Sequence, residues 1–168
     1  DVFMDAWLPV THQSYMEEYG DQLVDLGYNY EGAAIGLVAP AYLPVDSIEE
    51  LNSISEELDG QIIGIDSGAG IMKKTATVIE EYDLNLTLIP SSGPAMTASL
   101  KNAVDKNENI VVTGWKPHWK FARFDLKFLD DPKNIYGETE NIHAIVRTGL
   151  DADMPDVVSL VSNFKLND

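Results

Sequence analysis

The chain has 168 residues, 45% of them hydrophobic, and 28 Asp and Glu against 11 Lys and Arg give it a net charge of −17. That length and apolar content suit one domain or two small lobes with a true core, and they exclude a disordered chain. A charge this negative repels phosphate backbones and anionic lipid surfaces, which sets nucleic acid aside as a partner, and the absence of cysteine removes disulfides, thiolate metal sites and thiol nucleophiles.

Residues 2–8 read as a half-buried strand, and because the sequence opens inside it, further sequence upstream is expected to be missing. Thr11-His12 opens a helix whose apolar stripe is Met16, Tyr19, Leu23 and Leu26 and whose end is Gly27. Ala34–Pro40 is an apolar run suited to a buried strand. Ser47-Ile-Glu-Glu50 is a capping box for a short helix with Ile48, Leu51 and Leu58 inward. Gln61–Asp66, Leu84–Ile89 and Asn109–Thr113 are three strands, and the helices between them start near Ile71 and at Ser91-Ser-Gly-Pro94. This is a βαβαβ unit, for which parallel pairing is expected. Gly114–Trp119 reads as a loop, Phe124–Leu129 as a strand, Asp130–Lys133 as a turn and Ile142–Val146 as a strand. A last helix starts at Asp153-Met-Pro-Asp156 with Met154, Val157, Val158, Val161 and Phe164 inward.

The order of elements predicts an α/β protein in which one lobe is inserted into another: 1–60 as part of a first lobe, 61–113 as the inserted lobe, and 114–168 as a hinge return and the remainder of the first. Ligands of such folds bind in the cleft between lobes, where strand C-termini and helix N-termini converge.

Three segments at strand ends carry the candidate chemistry: Asp5-Ala-Trp-Leu-Pro-Val-Thr-His12, Gly64-Ile-Asp-Ser-Gly-Ala-Gly-Ile-Met72 and Gly114-Trp-Lys-Pro-His-Trp119. All three tryptophans lie in the first and last of these, beside Pro and His, which favours a binding surface over ordinary core. The glycine segment has neither the third glycine of a dinucleotide fingerprint nor a P-loop Gly-Lys-Ser/Thr. What remains is a helix start whose free N–H groups suit a small anion, a reading that stands level with a plain tight connection. His12 can donate to such an anion or merely cap its helix. No His-x-x-x-His or carboxylate cluster offers metal spacing, and no Gly-x-Ser-x-Gly elbow is present, so no catalytic or metal residue is assigned. A hydrolase built on His12 is the weakest reading.

At these segments, together with Leu129-Asp-Asp-Pro-Lys133, the chain closely resembles the glycine betaine-binding proteins of bacterial ABC importers along essentially its whole length. The resemblance implies a two-lobe, periplasmic-binding-protein-like α/β fold, with parallel-sheet lobes joined by hinge strands and closing on a quaternary ammonium compound. It implies Trp7 and Trp115 as two of the three tryptophans of an aromatic cage. It also implies His12, with the backbone N–H groups of Gly70 and Ile71, as the binders of the ligand carboxylate. The physics agrees: a trimethylammonium head has no N–H to donate, so aromatic faces hold it, each desolvated cation–π contact contributing on the order of 2 kcal/mol.

The family's remaining cage tryptophan sits in an Ala-Trp-Asp-Ser-like segment that this sequence lacks, and relatives with this segment order begin earlier. The first lobe is therefore expected to be incomplete, with an open sheet edge beside residues 2–8 that a homodimer or an exchange of elements would cover. No cofactor is implied. The implied partners are glycine betaine or a similar zwitterion and a membrane permease. The implied location is extracytoplasmic, with a lipid anchor or a permease fusion in the parent protein. A ligand-sensing domain of the same fold in a receptor or regulator is the alternative.

Overall fold

Strand β1 (Val2–Leu8) pairs antiparallel with β7 (Glu140–Arg147), and β7 pairs on its other side with the first part of β2 (Leu23–Pro40). The computed structural model that shows this describes residues 2–9 and 11–166. It divides the chain into a first unit of 1–34 and 139–168 and a second of 35–138.

In the first unit the three-stranded sheet carries helix α1 (Gln13–Tyr19) between β1 and β2, and α5 (Leu150–Asp153) and α6 (Pro155–Asn163) after β7. The expected first helix is shorter than its periodicity suggests. It stops at Tyr19, a single 3₁₀ turn follows at Gly20–Gln22, and Leu23 and Leu26 belong to β2. The cause is nonlocal. Leu23 and Val24 pair with Arg147 and Val146, partners invisible to a local helical pattern. Gly27, at φ 90°, is not a helix terminus but sits where the β2–β7 register shifts, between Asp25 and Tyr28. In α6 only Val161 is buried among the five residues expected inward, while Met154 and Phe164 are exposed.

The second unit is built on parallel strands β3 (Gln61–Ile63) and β4 (Thr87–Ile89), with β3 also parallel to β5 (Val112–Lys116). Strand order is β2-β5-β3-β4, and β6 (Leu126–Phe128) pairs antiparallel with the last residues of β2. Helices α2 (Gly70–Glu81) and α3 (Gly93–Lys106) are the crossovers, and α4 (Lys120–Arg123) follows β5. The capping box at Ser47 forms as expected, on a 3₁₀ helix, Ile48–Ile54, whose inner residues Ile48, Leu51 and Ile54 are buried.

This unit is larger than the inserted lobe of 61–113 expected from element order. Leu37 and Ala39 of β2, Leu43, Ile48, Leu51, Leu58, Leu129 and Tyr136 share one core with Ile62, Val78 and Val111, so the segments flanking 61–113 cannot be separated from it. The last parallel strand also lies further along than expected. It begins at Val112 and runs to Lys116, which takes Gly114 and Trp115 out of a loop and into the sheet.

Candidate functional site

In the first unit the end of β1 and the start of α1 are tied together twice. The backbone N–H of Trp7 donates to His12 Nδ1 at 2.8 Å, and the N–H of His12 donates to the Trp7 carbonyl at 2.9 Å. Because Nδ1 accepts, the imidazole proton belongs on Nε2, which leaves that nitrogen as a donor with a defined tautomer. His12 occupies the N-cap position of α1, but its side chain makes no capping bond, so the plain capping reading does not hold. Phe3 and Tyr15 flank the imidazole at ring centroid distances of 6.0 and 5.9 Å.

Trp7 is half-buried, packs against Tyr30, Ala33 and Ile142, and donates from Nε1 to Asp5 Oδ1 at 2.8 Å. A carboxylate on the indole N–H adds to the negative potential at the ring face, the property a cation needs. Thr11 is held by buried Glu140. Its N–H donates to Oε1 at 2.7 Å and its hydroxyl donates to Oε2. Sequence reasoning missed Asp5 and Glu140. Asp5 could have been found from its alternation with Trp7 on one face of β1. Glu140 gives no local signal, because it lies 129 residues from Thr11.

In the second unit Gly70 opens α2, with Ala69 as N-cap in extended conformation, no side-chain cap and no acidic residue in the first turn. Met72 and Lys73 donate back to the Ala69 carbonyl, whereas among the described residues no acceptor is paired with the N–H of Gly70 or Ile71. A Cβ at Gly70 would meet nothing within 4 Å, so no side chain crowds that residue at the helix start. Those are the conditions of an anion-accepting helix start. Gly64 serves packing instead: a Cβ there would collide with the Met72 thioether, to which the Ile65 N–H donates at 3.2 Å.

Trp115, on β5, is half-buried and packs against the apolar cluster that contains Ile71. The His118 ring meets it edge-on at 5.0 Å, and the Lys120 ammonium lies 4.5 Å from the Trp115 centroid. Burial and the nearby Lys120 charge hold His118 below the usual imidazole range, and burial brings Lys120 down to about 8. Lys120 was also missed; its placement inside Trp119-Lys-Phe-Ala122 was the available hint. Trp119 itself is exposed. His143 is engaged by Asp25 at 2.8 Å.

Each unit thus presents one half-buried indole and, close in sequence or core to it, donors without a full set of acceptors. Among the described residues no group of three or more His, Asp and Glu is placed to hold a metal ion.

The whole sequence, residues 1–168, matches the family described as the substrate binding domain of ABC-type glycine betaine transport systems. It is 50% identical over 124 residues to the glycine betaine/carnitine transport binding protein GbuC of Listeria monocytogenes, covering 72% of this chain and 40% of that protein. Among solved structures it resembles the glycine betaine/L-proline-binding protein ProX of Borrelia burgdorferi, at TM-score 0.82 and 41% identity over 99% of this chain and 63% of that one. It also resembles lactococcal OpuAC complexed with glycine betaine, at TM-score 0.83 and 40% identity over 99% of this chain and 65% of that one. The chain therefore spans less than two thirds of the length of these relatives.

Proposed function

Since this chain belongs to the family of substrate-binding domains of ABC-type glycine betaine transport systems, we propose that it binds glycine betaine, or a close quaternary ammonium zwitterion, and delivers it to a membrane permease outside the cytoplasm. In this reading Trp7 and Trp115 receive the trimethylammonium head. His12 Nε2 and the N–H groups of Gly70 and Ile71 receive the carboxylate. The permease partner and the extracytoplasmic location follow from the family. No helix among the described residues is long and apolar enough to cross a membrane; attachment of the parent protein through a lipid anchor or a fused permease is part of this proposal.

The observation that carries the reading is the pairing, in the second unit, of an aromatic face at Trp115 with an uncapped helix start at Gly70-Ile71 on one apolar cluster. Binding here needs no chemistry, only complementarity: the head gains cation–π attraction, and the carboxylate gains charge-assisted hydrogen bonds from donors that otherwise face water. The apolar residues exposed on the first unit, Phe3, Tyr15, Val24 and Leu160 among them, support covering of that unit by a second copy or by exchanged elements. Isothermal titration of glycine betaine into the chain tests the ligand. Heat and saturation are expected, with loss of binding in Trp115→Ala. Affinity unchanged by that substitution overturns the assignment.

A further inference from the structure

The side chain of Lys120 is fully buried, with Nζ 4.5 Å from the Trp115 ring centroid, 5.8 Å from that of Phe121, and without a hydrogen-bond partner among the described residues. Residue 114 is a glycine whose close neighbours are Val38 and this lysine: a Cβ there would come within 2.5 Å of Val38 Cγ2 and 3.1 Å of Nζ. Buried polar groups are ordinarily paired, and an unpaired buried charge is costly, so a methionine or leucine would serve this core position better if packing were its only task. The ammonium instead lies against Trp115, the ring of this unit proposed to receive the ligand head.

We propose that Lys120 is a specificity-determining residue that admits zwitterionic quaternary ammonium compounds and discriminates against those with a net positive charge. The inference rests on the assignment of Trp115 to the ligand head. An indole has one π system for its two faces, and the lysine charge already draws on it. A second cation stacked on the same ring lies roughly 8–9 Å from Nζ, where repulsion between unit charges at an effective dielectric constant of about 20 weakens binding on the order of tenfold. A betaine recovers part of this loss, because the same positive charge attracts its carboxylate. Choline, which ends in a neutral hydroxyl, recovers none.

The test is calorimetric titration of the full chain and of Lys120→Met with glycine betaine and with choline, whose trimethylammonium heads are identical. Choline affinity is expected to rise on the order of tenfold in the variant while betaine affinity changes about threefold or less, so the preference for betaine shrinks. Lys120→Arg keeps the charge and is expected to keep the wild-type preference, which a purely structural role for the side chain would not predict. If circular dichroism shows that the methionine variant does not fold, Lys120→Gln takes its place. An equal change for both ligands, or the same preference in the neutral variant and Lys120→Arg, overturns the role of Lys120 alone. A wild-type chain that binds neither compound overturns the ligand assignment and this inference with it.

Discussion

Lys120 also makes a prediction about stability that needs no ligand. Its side chain is fully buried without a hydrogen-bond partner, and burial lowers its pKa from 10.5 to about 8. In the unfolded chain the same amine titrates near its ordinary value, so between about pH 8 and 10.5 the unfolded state holds more protons and stability rises with pH. The full shift corresponds to roughly 3 kcal/mol, and the part recovered between pH 7 and about 9.5 is about 2 kcal/mol. Stopping there avoids the tyrosines: burial raises Tyr82 to about 12 and moves Tyr136 higher still, so both would subtract stability only in stronger alkali. His118, shifted downward, titrates below the window. The measurement is urea unfolding of wild type and Lys120→Met at several pH values. The methionine variant is expected to be the more stable protein at pH 7, with the gap closing by about 2 kcal/mol as pH rises to about 9.5. Parallel pH profiles for the two proteins would refute the claim that an unpaired charge is buried at this position.

Four further outcomes are expected. Trp115→Ala should weaken betaine binding by roughly 2 kcal/mol, read by calorimetry, through the lost cation–π contact. His12→Ala should cost about 1.5–3 kcal/mol of the same affinity, because a hydrogen bond to a charged group disappears and the Trp7 N–H loses its acceptor. Glu140→Ala removes both bonds to Thr11, and hydrogen exchange at residues 11–13 should quicken while the amides of α2 in the other unit keep their protection. Gly64→Ala should destabilise the second unit by about 1–3 kcal/mol in urea unfolding, because the added methyl meets the Met72 thioether and Leu88.

Much of the second unit was legible from local pattern. The capping box at Ser47, the helix start at Ser92-Gly93-Pro94 and the apolar stripe Ile71, Thr75 and Val78 are short-range signals, and each appears where residue spacing puts it. The roles of Trp7, His12, Gly70, Ile71 and Trp115 come from the family resemblance that three segments carry, whereas the uncapped helix start at Gly70 follows from an N-cap, Ala69, whose side chain carries no acceptor.

Tertiary structure decided what depends on partners distant along the chain. The helical period through Leu23 and Leu26 yields to strand pairing with β7, because hydrogen bonds to Arg147 and Val146 outweigh a weak local preference. Unit boundaries widen to 35–138 because Leu37, Leu51 and Leu129 bury their apolar surface in the core of Ile62 and Val111. Glu140 beneath Thr11 and the lysine ammonium against Trp115 are contacts that no spacing rule encodes. The sequence by itself determined the short-range elements of the second unit and the residue types at its strand ends; only folding determined which tautomer His12 adopts and which charge lies against an indole, because both depend on atoms brought together by packing.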